Sequence, residues 1–246
     1  MNDLARHADA LRALPPSCGP VRLVAVDGHA GSGKSTFAAR LAAALGGAPA
    51  VRGGAPESES APESESAALP EGARVPERAP APGVAPVLHL DDLATHEELF
   101  GWVERLREQV LLPLSRGGSA RYAPYDWTER RFGPARTLEP APVVLIEGVG
   151  AGRREVRPWL AALCWMELGR SASWERGRAR DGAGLTEFWD GWTAAEERHF
   201  ADDPSRPHAD ALVRQLPEGY EWREGPGATA GGNRFVTHGR RVGPPY

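Results

Sequence analysis

The sequence has almost no lysine. Among its 29 basic residues Lys34 is the only lysine, and all the others are arginine. A chain that uses arginine nearly everywhere keeps a lysine where a compact ammonium is needed and a planar guanidinium does not fit. We therefore expect Lys34 to have a specific function rather than a general role in solubility.

Long apolar runs and a secretory signal are also missing. The longest apolar runs have about five residues, whereas a membrane span needs roughly 20, and the N-terminus has no basic start followed by an apolar stretch. The two cysteines, Cys18 and Cys164, are too few for a disulfide scaffold or a zinc site. These absences predict a cytoplasmic protein that does not bind membranes, with both thiols reduced and buried.

A general basic charge is absent as well, because the formal net charge is −4. This balance argues against nucleic acid as a partner. The 246 residues, 41% of them hydrophobic, are enough for one large domain with its own core. The sequence leaves homo-oligomer formation open.

The domain organisation follows from shifts in composition. We predict an N-terminal helical extension over residues 1–20, a main domain over 21–215 and a flexible C-terminal tail over 216–246. Within the main domain, residues 48–85 contain a tandem Ala-Pro-Glu-Ser-Glu-Ser repeat. A stretch with so little apolar surface cannot offset its chain entropy, so we expect a disordered insertion there.

Buried strands alternate with helices along the main domain. Runs of β formers near residues 21–26, 87–90, 143–146, 163–168 and 211–213 predict strands. Helical patterns lie between them, near 34–45, from a Thr95–Glu98 capping box onwards, near 153–162 and near 188–199. This alternation predicts an α/β fold with a five-stranded parallel sheet flanked by helices.

The strongest motif lies between the first strand and the following helix. Gly28-His-Ala-Gly-Ser-Gly-Lys-Ser35 matches the phosphate-binding pattern G-x-x-x-x-G-K-[ST]. Its backbone N–H groups would cradle phosphates, Lys34 would reach the β- and γ-phosphates, and Ser35 would hold Mg²⁺. The residues predicted to bind the nucleotide are Gly28, His29, Ala30, Gly31, Ser32, Gly33, Lys34, Ser35 and Thr36. The motif predicts binding of a nucleotide, but it does not define the reaction.

Three predicted strands end in acids, at Asp27, at Asp91 and Asp92, and at Glu147. Ligands of parallel α/β sheets bind beyond the carboxyl ends of the strands, so these side chains should meet there. One acid can hold Mg²⁺ and another can accept the proton of an attacking hydroxyl. For Asp91 and Asp92, capping of the following turn is the simpler alternative.

Taken together, these motifs resemble the uridine kinase-like group of P-loop kinases, which includes phosphoribulokinase- and pantothenate kinase-like members. The similarity rests on the order of Asp27-Gly-x-x-Gly-Ser-Gly-Lys-Ser-Thr36, Asp91-Asp92, Tyr125-Asp126, Glu147-Gly148 and Arg176…Arg180-Asp181. The Asp-Asp-Leu and Tyr-Asp-Trp segments are most similar to actinobacterial uridine kinase-like proteins. The resemblance implies a P-loop kinase fold with an arginine lid, and ATP and Mg²⁺ as cofactors.

The resemblance also implies roles for individual residues. Asp91 would accept the proton of the substrate hydroxyl, with Asp92 beside it in the acceptor site, and Glu147 would help Ser35 to hold Mg²⁺. Arg176 and Arg180 would form a lid that neutralises charge in the transition state. Three further residues would line the acceptor site: Tyr122, Tyr125 and Asp126. Phosphoryl transfer to a small-molecule hydroxyl, with a nucleoside as the first choice, is the activity implied.

Several features leave alternatives open. The group usually has an arginine three residues before Arg176, where this chain has Ser173, and its absence makes uridine itself doubtful as the acceptor. One alternative is a nucleotide-binding regulatory module without kinase activity. A nucleoside monophosphate kinase is another, and it would need extra arginines at the acceptor site, such as Arg121 or Arg131.

Aromatic and arginine-rich segments can also be interpreted in two ways. Tyr122, Tyr125 and Trp127 in a loop could stack on a planar acceptor. Phe188, Trp189 and Trp192 lie at helical spacing, which is more often a core stripe than a stacking platform. The lid arginines could equally lie on a solvated helix with surface ion pairs.

Overall fold

The computed structural model describes residues 3–46 and 84–228. Of the predicted insertion over 48–85, only the last two residues fall within these ranges. The predictions for the rest of it, and for the chain after residue 228, lie outside the described residues.

A six-stranded sheet forms the centre of the fold. Its strands are β1 (Arg22–Asp27), β2 (Val87–His89), β7 (Val143–Glu147), β8 (Leu160–Met166), β9 (Ala211–Gln215) and β10 (Tyr220–Glu224). They are arranged in the order β10-β9-β8-β1-β7-β2, and all neighbours pair in parallel except β9 and β10. The glycine-rich loop joins β1 to the helix α2 (Lys34–Gly46). This arrangement confirms the predicted α/β fold of the P-loop type.

The sixth strand corrects the prediction of a flexible tail from residue 216 onwards. β10 pairs antiparallel with β9, from Tyr220 opposite Gln215 to Glu224 opposite Ala211. Tyr220 is buried and packs edge-on against Phe37 of α2. The glycine and proline content suggested a loose chain, but Leu216–Gly219 forms the turn of a β-hairpin instead.

Helices cover both faces of the sheet. Side chains of β1 alternate, with Leu23 and Ala25 in one core cluster and Val24 and Val26 in the other. One face carries α1 (Asp3–Arg12) and α2, and the other carries α3 (Val103–Leu106) and α4 (Leu112–Ser115), which are joined by a π-helical turn. The remaining helices are α5 (Arg170–Asp181) and α6 (Thr186–Asp202). They lie beside the glycine-rich loop.

The N-terminal helix is part of the core rather than an appended extension. Ala8 and Leu11 of α1 are fully buried against the α2 side of the sheet. Arg12 donates to the carbonyl oxygens of Ala44 and Leu45, both at 2.7 Å, and so caps the C-terminal end of α2.

Two helices predicted from the sequence begin elsewhere or do not form. Thr95 and Glu98 bond to each other in a closed turn, and the helix begins only after Trp102. Near 153–162 the chain forms a short 3₁₀ turn, Arg157–Trp159, before β8 begins at Leu160. There the pairing of β8 with β1 outweighs the local helical pattern.

A small subdomain of paired short strands lies between α4 and β7. Ala120–Tyr122 (β3) pairs with Arg136–Leu138 (β6), and Tyr125–Asp126 (β4) pairs with Arg131–Phe132 (β5). In the described ranges no helix is both long and apolar enough to cross a membrane. Both cysteines are buried and free, as predicted.

Candidate active site

The glycine-rich loop turns tightly between β1 and α2. Lys34 is the first residue of α2, and its Nζ donates to the carbonyl oxygen of His29 at 2.9 Å. Gly31 and Gly33 have φ values of +83° and +94°, which glycine adopts at little cost. The hydroxyl of Ser32 is buried without a hydrogen-bond partner among the described residues. An inward-facing hydroxyl at the start of a helix suits an anionic ligand.

Asp27, the first of the strand-end acids, has a structural role in holding the loops. Its carboxylate is fully buried and accepts from the N–H groups of Gly28 (2.7 Å), Gly150 (2.9 Å) and Gly152 (2.9 Å). Burial raises the pKa of Asp27, and the hydrogen bonds with Ser205 and the backbone lower it only in part. Asp27 therefore joins the glycine-rich loop to the loop after β7 through hydrogen bonds to backbone N–H groups.

Glu147, at the end of β7, lies beside the phosphate loop as predicted. Its Oε1 accepts from the hydroxyl of Ser35 at 3.0 Å and contacts Nδ1 of His89 at 2.5 Å. Burial alone would raise the pKa of Glu147. The hydrogen bond from His89 and the positive charge of that histidine lower it, and the charge of Lys34 and the hydrogen bond from Ser35 act in the same direction. Together they outweigh the effect of burial, so the pKa of Glu147 is lowered. The side chain is thus a carboxylate at neutral pH.

The donor set of Ser35 and Glu147 fits Mg²⁺. Mg²⁺ takes hard oxygen ligands and is usually held by one or two protein groups together with phosphate oxygens and water. An ionised carboxylate in contact with a hydroxyl, next to the loop that would hold the phosphates, meets that requirement. No group of three or more His, Cys, Asp or Glu residues within 3–46 and 84–228 could hold a metal on its own.

Asp91 lies in a cavity of about 380 Å³ that reaches the phosphate loop. The same cavity is lined by Ala30 of the loop and by Arg180 of α5. Asp91 is exposed on the short turn after β2, and its negative charge helps to raise the pKa of Arg180. The structure therefore brings together the predicted base, one predicted lid arginine and the phosphate loop.

Aromatic rings form much of the wall of this cavity. The indole N–H of Trp127 donates to the carbonyl oxygen of Asp91 at 3.1 Å. The other aromatic lining residues are His96, Phe188, Trp189 and Trp192. Trp189 and Trp192 are nearly buried, so the stripe on α6 is both part of a core and one wall of the cavity. His96 is a lining residue that the sequence analysis missed.

Four residues predicted for the acceptor site do not line this cavity. Tyr122 is buried in the main core, and Tyr125 is buried with its hydroxyl 3.1 Å from Nδ1 of His96. Asp126 caps a turn, where Oδ1 accepts from the N–H groups of Thr128 and Glu129, both at 2.9 Å.

The last of the four is Asp92, which is nearly buried and lies 3.6 Å from Arg136 of β6. Neighbouring residues on a turn point in different directions, so only Asp91 of the acidic pair reaches the cavity. Of the aromatic residues between Tyr122 and Trp127, Trp127 lines the cavity, and Tyr125 packs edge-on against it.

The two predicted lid arginines lie on α5 and reach different cavities. Arg180 forms a two-point contact with Asp181, at 2.6 and 2.9 Å, and this hydrogen bonding raises the pKa of Arg180. Arg176 donates to Oε1 of Gln215 at 3.2 Å and lines a second cavity of about 380 Å³ together with Ser32. Arg176 therefore shares a cavity with Ser32, and Arg180 shares another with Ala30.

Ser173, where the resembling group usually has an arginine, is completely buried. Its hydroxyl donates to the carbonyl oxygen of Leu168 at 3.3 Å, and its own carbonyl lies against Gly31 of the phosphate loop. Because Ser173 is completely buried, a longer side chain at this position would have to displace its neighbours. Helix α5 is packed on the glycine-rich loop through the backbone of this residue.

Glu196 of α6 is a site residue that the sequence analysis missed. Its fully buried carboxylate contacts Nδ1 of His29 at 2.7 Å and accepts from the N–H of Ala30 at 3.1 Å. The indole N–H groups of Trp174 and Trp192 donate to it as well, both at 3.0 Å. No motif marks Glu196, because a glutamate in a helix pattern is ordinarily a surface residue.

Comparisons with known proteins give structural matches only. No protein-family model matches the chain, and no curated protein matches it. A protein described as a possible uridine kinase from Bacillus stearothermophilus is similar in structure, with a TM-score of 0.47, 18% identity, and coverage of 85% of this chain and 98% of that one.

A second similar structure is a candidate fructose transport system kinase from Silicibacter sp. TM1040. The TM-score is 0.44 and the identity 18%, over 83% of this chain and 91% of that chain. The activity has to be inferred from the residues of this chain.

Proposed function

We propose that this protein is a P-loop small-molecule kinase that transfers the γ-phosphoryl group of ATP to a hydroxyl of its acceptor. The observation that carries the proposal is the cavity shared by Asp91, Arg180 and Ala30. A carboxylate, a guanidinium and the edge of a phosphate loop meet there. A purely structural turn at Asp91 would not require this arrangement.

The phosphate loop and its helix would bind the triphosphate. The first N–H groups of α2 have no partner within the helix, and together with Lys34 they offer positive charge to the phosphates. Ser35 and Glu147 would hold Mg²⁺, which supplies further positive charge to the β- and γ-phosphate oxygens. The cavity beside Ser32 and Arg176 would hold the rest of the nucleotide.

Asp91 would act on the acceptor hydroxyl. The hydroxyl oxygen forms a bond to the γ-phosphorus as the bond from that phosphorus to the bridging oxygen of ADP breaks, and the hydroxyl proton passes to the Asp91 carboxylate. Arg180, which lines the same cavity, would stabilise negative charge on the transferring group. These roles agree with those implied by the sequence resemblance.

The acceptor cavity favours a planar, uncharged acceptor such as a nucleoside. Trp127 and Phe188 are partly exposed aromatic residues of the cavity lining, and a base could stack against them. Among the described lining residues the charged groups are two carboxylates, Asp91 and Asp181, and one guanidinium. A phosphate-bearing acceptor would meet a net negative surface there.

A nucleoside monophosphate kinase is therefore not the preferred alternative. Its acceptor phosphate would need additional arginines, and Arg121 and Arg131 do not line the cavity. Arg131 is largely exposed and lies 3.8 Å from Glu129. We place the reaction in the cytoplasm, where ATP is supplied.

Acceptor-stimulated ADP release is the direct test of this proposal. The protein is incubated with Mg-ATP and a panel of nucleosides, nucleoside monophosphates, sugars and vitamins, and each phosphorylated product is identified by mass. We expect at least one planar alcohol to stimulate ADP release above the hydrolysis seen with ATP alone. Tight ATP binding without stimulation by any acceptor would favour a regulatory module instead.

A further inference from the structure

The carboxylate of Glu196 has an unusually complete set of hydrogen-bond partners. An ionised carboxylate offers about four lone-pair sites, and four nitrogens surround this one. Oε1 contacts His29 Nδ1 and Trp174 Nε1, while Oε2 contacts the Ala30 backbone nitrogen and Trp192 Nε1. Each oxygen therefore has two partners.

The partners come from different parts of the fold, and each oxygen joins the phosphate loop to a helix. Oε1 links His29 to Trp174 of α5, the lid helix, at 2.7 and 3.0 Å. Oε2 links Ala30 to Trp192 of α6, at 3.1 and 3.0 Å. One buried side chain thus contacts the loop, the lid helix and the helix that forms a wall of the acceptor cavity.

An ionised carboxylate suits this position better than a neutral side chain. Burial by itself raises the pKa of Glu196, but the hydrogen bonds from His29 and Ala30 and the charges of His29 and Lys34 outweigh it, and the pKa is lowered. A carboxylate only accepts hydrogen bonds, so His29 must present a proton on Nδ1. If residue 196 were glutamine, an NH₂ group would replace one of the two oxygens and would face two hydrogen-bond donors.

A buried charge that served packing alone would be a poor choice. Well-packed apolar residues usually stabilise a fold as well as a buried ionic group does, because removing the charge from water is costly. Glu196 accepts a hydrogen bond from Trp192, which belongs to the hydrophobic cluster of Val149, Trp189 and Trp192, and another from Trp174, which packs against that cluster. Its presence there requires a reason beyond packing.

We propose that Glu196 is a positioning residue that sets the conformation of the phosphate loop at His29 and Ala30 and couples that loop to the lid helix through Trp174. The inference rests on the proposed nucleotide binding and extends it to regulation of the same site. Ala30 also lines the acceptor cavity, and Trp174 lies two residues before Arg176. Glu196 therefore acts at a distance on both substrates without touching either.

The first experiment measures Mg-ATP binding by calorimetry for the parent, Glu196→Gln and a matched control. Glu197→Gln removes the same charge from the next residue, which is half exposed and pairs with Arg170 at the surface. We expect Glu196→Gln to weaken ATP binding by about tenfold or more, because buried donors of the loop lose their acceptor and such a loss typically corresponds to about that factor in an equilibrium constant. Glu197→Gln should bind ATP like the parent.

A second experiment tests the coupling of loop and lid without changing Glu196. His29→Phe and Trp174→Phe each keep a ring and remove one N–H from Oε1. In a double-mutant cycle for ATP affinity, the effects of two substitutions that act through one oxygen should not add. We expect the double variant to bind ATP about as weakly as the weaker single variant, with the three variants compared at temperatures well below their melting transitions.

The outcomes separate this inference from the proposed function. A parent protein that does not bind Mg-ATP would contradict the proposed function itself. A parent that binds ATP, together with a folded Glu196→Gln protein of equal affinity, would overturn the role of Glu196 alone. If Glu196→Gln does not fold, the cycle decides, and additive effects of His29→Phe and Trp174→Phe would overturn the coupling.

Discussion

The carbonyl oxygen of Ser173 lies against Gly31 so closely that a Cβ on Gly31 would be 2.0 Å from it. Gly31 also has a φ of +83°. Helix α5 thus packs on the glycine-rich loop at a residue without a side chain. On the same helix, Gly177 leaves room for Trp189, which would lie 2.3 Å from a Cβ there. Two glycines therefore determine how closely α5 approaches the loop and α6.

This contact predicts that Gly31→Ala damages both stability and ATP binding. Gly182 is a matched control, because its φ is +78° and nothing lies within 4 Å of an added Cβ. Gly182→Ala should cost only the strain of its backbone conformation, with φ +78° and ψ 173°, about 1–3 kcal/mol. Gly31→Ala should cost clearly more and weaken ATP binding, as measured by urea denaturation and calorimetry. Equal destabilisation by the two substitutions would show that the Ser173 contact is unimportant.

The lone lysine gives the second prediction. Lys34→Ala should abolish measurable ATP binding in calorimetry, because Nζ is the mobile positive charge of the phosphate loop. Lys34→Arg should also bind ATP poorly, because a planar guanidinium group cannot replace a compact ammonium group beneath tight backbone turns. Arg40→Ala, which removes an exposed cation from the same helix, is the control and should leave affinity unchanged. Undiminished ATP binding by Lys34→Ala would contradict the phosphate-loop assignment.

Local sequence patterns predicted the part of the site that depends on short-range structure. The loop between β1 and α2 has a spacing defined by backbone geometry, so the places of Lys34 and Ser35 followed from the motif alone. Glu147 could be placed beside Ser35 because neighbouring parallel strands end at one edge of the sheet. The predicted sheet lacked only its antiparallel edge strand, β10.

Contacts between distant segments were the part that could not be predicted. Glu196 meets His29 from 167 positions away, and no local pattern distinguishes it from a surface glutamate. Tyr122 and Trp127 belong to one aromatic segment, but the turns of the small strands bury the first in the core and direct the second to the cavity. Side-chain direction within an irregular segment depends on tertiary packing rather than on spacing.

A half-buried histidine predicts how stability depends on pH. His199 stacks on Phe100 with ring centroids 4.5 Å apart, and its Nε2 is buried without a hydrogen-bond partner among the described residues. Burial lowers the pKa of His199, and the charge of Arg153 lowers it further, while Asp27, Asp203 and Glu196 act in the opposite direction.

Because the pKa of His199 is lower in the folded state, the unfolded chain binds the proton more tightly. The contribution of neutral His199 to the free energy of unfolding is therefore fully present above its ordinary pKa of about 6.5. This contribution decreases as the pH falls below that value. His199→Phe keeps the stacked ring but cannot bind a proton. Between about pH 8 and about pH 5.5, this variant should lose less free energy of unfolding than the parent, as measured by urea denaturation. An unchanged loss in the variant would assign the acid sensitivity to other groups.

The charge on Asp91 distinguishes a kinase from a regulatory module. If Asp91 accepts the proton of the acceptor hydroxyl, Asp91→Asn keeps the shape of the side chain but removes the group that takes the proton. Removal of such a base typically costs about 10² to 10⁴ in rate. ATP affinity should stay the same or rise slightly, because a negative charge near the phosphates has gone. Steady-state ADP release with and without the best acceptor measures both effects.

Asp92→Asn is the matched control for this measurement. Asp92 has the same chemistry one position along the chain but lies beside Arg136 and outside the cavity. We expect its acceptor-stimulated rate to fall much less than that of Asp91→Asn, with any change in melting temperature explained by the ion pair. Full acceptor-stimulated turnover in Asp91→Asn would refute the role of Asp91 as the base. Similar losses in both variants would mean that the turn after β2, rather than the Asp91 carboxylate, is what the reaction needs.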